Sequence, residues 1–210
     1  MYTIRMCIGT WRSRGYLPHF DKTGAIQIVT FRLIDSLPVD MLRKIKERIP
    51  ERRMTLRKQA IEAQLDYGHG RCMLKDPGNA EIMQESLLHF DGDRYRLLAW
   101  VVMPNHVHSI FEVNAEYPLP KLMKNMKGYT ALMINRRMGR QGSFWQREYF
   151  DRVVRDETHF RNAVEYIHNN PVKAQLVSKP EDWSFSSAGF VHYIEKQQRM
   201  LTGQRMEDAG

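Results

Sequence analysis

Apolar and polar residues alternate over Gly24-Ala-Ile-Gln-Ile-Val-Thr-Phe-Arg-Leu33, and this period of two, rich in β-branched and aromatic residues, predicts a strand. Ser36-Leu-Pro-Val-Asp40 signals a helix start with Asp40 as N-cap; the helix runs to Ile49 and stops at Pro50, and a second spans Glu51 to Asp66. Tyr67-Gly-His-Gly70 and Asp76-Pro-Gly-Asn79 punctuate the chain before a short helix from Ala80 to Phe90 and a tight turn at Asp91-Gly-Asp93. Tyr95 to Met103 and His106 to Val113 are apolar β-type runs separated only by Pro104-Asn105, so they form an antiparallel hairpin. Leu122, Met126, Tyr129 and Met133 recur at helical spacing within a helix from Pro118 to Arg137, ended by Gly139. Phe144 to Val154 reads as a strand with its approach loop, and Glu157 to Asn170 as a last helix halted by Pro171. Trp11 to Phe20 mixes Arg, aromatics, Gly and Pro without a period, as a structured loop or arm does, and Trp183 and Phe185 pack a tail whose last ten residues are expected to be disordered.

The order strand, helices, strand, strand, helix, strand, helix predicts an α+β fold: a ferredoxin-like βαββαβ antiparallel sheet with helices on one or both faces and a helical insertion in the first crossover. A single domain is expected over 1–187, with an N-terminal arm at 1–23, the insertion at 40–90 and a C-terminal tail at 188–210. The 210 residues suffice for one substantial core. No apolar run approaches the roughly 20 residues of a membrane span. Met1 to Thr10 shows no secretory signal, and Cys7 and Cys72 lack CxxC spacing, as expected of reduced thiols in a cytoplasmic protein.

Charge sharpens this picture. The net charge is +8, and it is segmental. Met41 to Ala60 holds eight Lys and Arg against Glu47 and Glu51, and Lys121 to Arg161 holds ten against four acids. A polyanionic partner and plain solvated helix faces explain these segments equally well until a second signal is added.

That signal is Met103-Pro-Asn-His106-Val-His108. On a strand both imidazoles project to one face, where they can bind a divalent cation or simply meet solvent. Other HxH chemistries fit poorly: Ile110 stands where a metallo-β-lactamase pattern has Asp, and the glycines flanking a cupin pattern are replaced by Trp100 and Leu119. Tyr166 and Asn170, four apart, share a helix face and offer a phenol beside an amide oxygen. By themselves they read equally as a buried tyrosine and a helix stop before proline.

Taken in order, Pro104-Asn-His106-Val-His108, a helix, Phe144-Trp-Gln-Arg-Glu-Tyr-Phe-Asp-Arg-Val-Val-Arg155, Val164-Glu-Tyr166-Ile-His-Asn-Asn170-Pro-Val-Lys173-Ala-Gln-Leu-Val177, and Trp183 with Ser186 and Ser187 resemble the HUH transposases that use one tyrosine, and most of all the REP-associated tyrosine transposases of bacteria. The resemblance runs from about Gly24 to Ser187. It implies that His106 and His108 are the paired metal ligands, that Tyr166 is the nucleophile, and that Asn170 completes the site where relatives often have Gln. It also implies Mg²⁺ or Mn²⁺, hairpin-forming single-stranded DNA as partner, a monomer or homodimer, and a bacterial cytoplasmic, nucleoid-associated setting without a membrane.

Such an enzyme would nick DNA through a 5′-phosphotyrosine link and rejoin it to another 3′-OH without ATP. The phenol, ordinarily near pKa 10, must be favoured as phenolate by a cation or base. No general base is assigned: His168 lies about 200° around the helix from Tyr166, and Glu165 and His159 have no better claim. Phosphate contact is expected from Arg52, Arg53, Arg57 and Lys58 and from the stripe Lys121, Lys124 and Lys127, and base stacking from Arg12, Arg14, Tyr16 and His19, although each also suits a solvated surface. The rival reading is a domesticated, non-catalytic DNA-hairpin-binding protein on the same fold.

Overall fold

The computed structural model describes residues 10–13, 18–21, 24–114 and 116–190. Thr10–Ser13 (β1) and Pro18–Asp21 (β2) pair antiparallel, with Arg12 opposite His19, so the expected arm contains a small strand pair. The main sheet is built from Ile26–Arg32 (β3), Tyr95–Val102 (β4), His106–Val113 (β5) and Phe150–Val153 (β6). Its order is β4-β5-β3-β6, antiparallel at every junction. Of Phe144 to Val154, expected as a strand with its approach loop, β6 is the strand, and the approach makes a single bridge between Leu33 and Trp145.

Between β3 and β4 run Val39–Arg48 (α1), Met54–Leu65 (α2) and Pro77–Leu88 (α3). Asp40 is not the N-cap of α1; Pro38 holds that place and Asp40 sits in the first turn, where its charge faces the helix dipole favourably. Asp76 caps α3 instead, accepting from Asn79 N, with Pro77 at the first helical position. None of α1 is buried, whereas α3 packs on the sheet beside Leu119–Arg137 (α4).

The sheet is covered on both faces. One carries Val29, Phe31, Leu33, Val107, Phe111 and Trp145 against α3 and α4. The other carries Ala99, Val101 and Ile110 against Ala163 and Ile167 of Glu157–Lys173 (α5). Burying an isoleucine such as Ile167 fully is worth about 2 kcal/mol. A bulge between Leu97 and Ala99 reverses the parity of β4, so that Leu97 faces the first layer while Leu98 and Ala99 face the second.

Helix α5 does not stop at Pro171, as expected from sequence, but continues to Lys173. Proline there forfeits one backbone hydrogen bond. Both Asn170 and Pro171 are buried, and Ala174 N to Asn170 O (3.0 Å) and Leu176 N to Pro171 O (2.9 Å) close the final turn. The Trp183–Ser187 segment covers the outer edge of β4: Val102 N donates to Phe185 O, Trp183 Nε1 to Val102 O and Trp100 N to Ser187 Oγ. Phe190 packs on Trp100, ring centroids 5.7 Å apart. Among the described residues, no helix is long and apolar enough to cross a membrane.

Candidate functional site

The alternation of β5 turns His106, His108 and Ile110 toward α5, as the HxH spacing predicts. The two imidazole rings stand 4.7 Å apart, both essentially without solvent exposure. Tyr166 descends from α5 onto this pair, its ring edge-on to His108 at 5.3 Å between centroids. One turn further on, Asn170 lies 1% exposed on the same side. The two imidazoles and the phenol are therefore brought together from elements far apart in the chain.

Each imidazole is held through its Nδ1. His106 Nδ1 is 2.7 Å from Asn105 Oδ1, and Asn105 Nδ2 donates to Leu65 O and His69 O. An amide whose nitrogen is so committed presents its oxygen to His106, so Nδ1 carries the hydrogen and Nε2 the lone pair. His108 Nδ1 is 2.7 Å from Thr30 Oγ1, its register partner on β3. The hydroxyl accepts either tautomer, including the one that leaves Nε2 open. Nε2 of both rings is buried without a hydrogen-bond partner, and the Asn170 amide, also buried, meets only the Tyr166 hydroxyl.

Burial, followed by the neighbouring His108, pushes the His106 pKa well below its ordinary value. Burial and then Lys173 lower His108 to about 3. Both rings are thus neutral at physiological pH, the form that ligates cations. The Tyr166 phenol moves the other way: burial first, then the carboxyls of Glu62 and Asp66, raise its pKa, while the Asn170 side chain opposes them.

Glu62 and Asp66 lie one turn apart at the end of α2, so the inserted helix faces this site. No motif in the sequence announces that approach. Asp66 is 10% exposed in its side chain; Oδ2 pairs with Lys173 Nζ at 3.0 Å, and Oδ1 lies 4.0 Å from His106 Nε2. Lys173 Nζ also stands 5.6 Å from the Tyr166 ring centroid. Docking of the following loop requires Gly70 (φ 83°), where a Cβ would collide with the Asp35 carbonyl. Among the described residues, no three His, Cys, Asp or Glu side chains form a ready metal cluster. The fit to a divalent cation rests on two open imidazole nitrogens and the buried Asn170 amide beside them.

The other candidate bases face elsewhere. His168 Nε2 is 2.7 Å from Ser187 Oγ, His159 Nδ1 accepts from Arg155 N, and Glu165 is exposed. Of the basic residues, Arg52, Arg53, Lys121 and Lys124 are exposed. Lys127 is not: its ammonium donates to Gln146 O (2.7 Å) and Arg147 O (2.8 Å), so it leaves the expected stripe and ties α4 to the approach of β6. Arg57 is likewise spent on carbonyls of Ile49 and Lys46 at the end of α1. Arg12 and His19 are placed by backbone only, and Arg14 and Tyr16 lie outside the described residues, as does the side chain of Lys58.

The stretch that carries this site is similar to known proteins. Residues 79–170, which include all four of His106, His108, Tyr166 and Asn170, match the family described as Transposase IS200 like. A REP-associated tyrosine transposase of Escherichia coli K12 is 26% identical over 109 residues, covering 51% of this chain and 63% of that protein. A Haemophilus influenzae protein given the same name provisionally is 25% identical over 103 residues, covering 44% and 58%. The chain thus spans about three-fifths of the length of these relatives. The fold matches a REP-associated tyrosine transposase solved with a REP hairpin, with a TM-score of 0.51 and 18% identity over 80% of this chain and 79% of that one.

Proposed function

We propose, from the chain's similarity to REP-associated tyrosine transposases, that it is a metal-dependent endonuclease and strand transferase that acts on hairpin-forming single-stranded DNA. The observation that carries this reading is the approach of Tyr166 to two buried imidazoles whose Nε2 atoms have no protein partner. A protein that only binds DNA has no physical need for that combination. Residues 1–187 act in this reading as one HUH unit in the bacterial cytoplasm, as a monomer or homodimer.

His106, His108 and Asn170 would hold Mg²⁺ or Mn²⁺. The bound ion would neutralise a non-bridging phosphate oxygen and offset charge developing in the displacement. Asn105 and Thr30 fix the imidazoles before any substrate arrives. Tyr166 Oη gives up its proton to solvent and attacks phosphorus; the Oη–P bond forms as the bond to the 3′ oxygen breaks, and the departing oxygen takes a proton from solvent as a 3′-OH. The 5′-phosphotyrosine ester keeps its energy, so a second 3′-OH can attack it and return the phenol. Exposed Arg52, Arg53, Lys121 and Lys124 would track phosphates, and the arm carrying Arg12, Arg14, Tyr16 and His19 would meet the hairpin.

The test is a labelled single-stranded hairpin incubated with the full chain and Mn²⁺ or Mg²⁺, then run on a denaturing gel. A covalent adduct is expected with the wild type, none with Tyr166→Phe, and none with His106→Ala. An adduct that survives Tyr166→Phe assigns the nucleophile elsewhere. Tight hairpin binding with no adduct across a broad set of hairpins favours the domesticated binding protein.

A further inference from the structure

We propose that Asp66, delivered by the inserted helix α2, is an additional ligand of the cation held by His106, His108 and Asn170. The assignment rests on the metal reading of that site and extends it to a segment outside the matched family region.

Four observations converge. Asp66 is nine-tenths buried, where a carboxylate calls for a cationic partner, a place that the Lys173 ammonium fills at present. Its Oδ1 accepts no hydrogen bond and lies 4.0 Å from His106 Nε2, itself unpartnered. Two ligands of one Mg²⁺ stand at most roughly 4.2 Å apart, twice the usual metal–oxygen distance, so the separation already falls within reach of a shared ion. His108 Nε2, likewise buried without a partner, and the buried Asn170 amide are the other donors of this site.

Asn105 explains why Asp66 is there. Its Nδ2 donates to the carbonyls of Leu65 and His69 on either side of Asp66, while its Oδ1 holds His106. One side chain therefore locks the ligating imidazole and the end of α2 in register. Lys173 Nζ now balances the carboxylate at 3.0 Å, and with 58% of its side chain exposed it has room to withdraw. The donors close on a cation as Asp66 exchanges that ammonium for the ion. A carboxylate also matches the preference of Mg²⁺ and Mn²⁺ for hard oxygen, which two imidazoles and an amide satisfy only in part.

The experiment is calorimetric titration of the full chain with Mn²⁺ alone, without DNA. One saturable site is expected in the wild type, weakened at least tenfold by Asp66→Asn and tightened by Lys173→Met. The Asp66→Asn loss should persist at roughly 0.5 M salt, where the screening length falls to a few Å and a purely long-range effect fades. Wild-type affinity in Asp66→Asn, or a loss that disappears at high salt, overturns the ligand assignment and leaves the proposed enzyme standing. No Mn²⁺ site in the wild type, or one indifferent to His106→Ala, overturns the metal reading itself and this inference with it.

Discussion

Asn105 Oδ1 stands 2.7 Å from His106 Nδ1, and the same amide, through Nδ2, holds the backbone on both sides of Asp66. The residue that shapes the hairpin joint therefore also sets the tautomer of a candidate ligand. Asn105→Ala should lower Mn²⁺ affinity about 10–100-fold, the usual cost of losing a ligand's orienting partner. It should also destabilise the fold by about 1–3 kcal/mol, because buried carbonyls lose their donor. Calorimetry and urea unfolding measure the two effects, and unchanged affinity in a folded Asn105→Ala would remove the orienting role.

Much of this was legible because it depends on local periods. The parity of β5 places His106 and His108 together, and the i, i+4 spacing places Tyr166 with Asn170. The order of strands and helices along the chain follows from where alternation gives way to helical spacing, whereas which face each helix covers does not. What escaped was non-local or competitive. Proline is ordinarily a stop, yet burial of Asn170 and Pro171 carries α5 one turn further and brings Lys173 to the site. Asp66 ends a helix with no motif around it, and only docking of the loop through Asn105 reveals where it points. Lys127 sits in stripe register with Lys124, but no spacing rule shows that its ammonium turns to two carbonyls.

Acid should unfold the protein through its imidazoles. Burial lowers His108 to about 3, against about 6.5 in an unfolded chain. The unfolded state therefore binds the extra proton between those values, so stability is fully present above about pH 6.5 and falls as pH drops toward 3. The slope is about 1.4 kcal/mol per pH unit for this one group. In metal-free protein, His108→Gln should remove that share of the slope between pH 6 and 4 in urea titrations. An identical slope would mean that the ring is not buried neutral.

The phenol should respond to Glu62. Burial raises the Tyr166 pKa most, with the Glu62 and Asp66 carboxyls adding to it. Removing one negative charge by Glu62→Gln favours the phenolate, so the pH–rate profile of adduct formation should move to lower pH. At a fixed pH near neutrality the rate should rise. A profile moved to higher pH, or a rate that collapses while the fold persists, would instead give the Glu62 carboxylate a role in taking up the proton.

The basic helix α4 separates two kinds of lysine that sequence cannot distinguish. Lys121 and Lys124 are exposed, so replacing either with Ala should weaken hairpin binding. The slope of log K against log salt should also shrink, by somewhat less than one for each phosphate left without its lysine. Lys127 is bound to Gln146 O and Arg147 O, and burial lowers its pKa to about 8. Lys127→Met should leave the salt slope intact and lower stability by about 1–3 kcal/mol, since two carbonyls lose charge-assisted donors. The folded pKa of Lys127 lies below the unfolded value near 10.4, so the unfolded chain holds the extra proton between the two and this group adds stability as pH rises from 8 toward 10. The methionine variant lacks that gain, so its deficit against wild type in thermal melts should widen across the same interval. A deficit that stays constant would mean that the ammonium titrates as an ordinary surface lysine. A loss of hairpin affinity in Lys127→Met with unchanged melting would return this lysine to the DNA-binding surface.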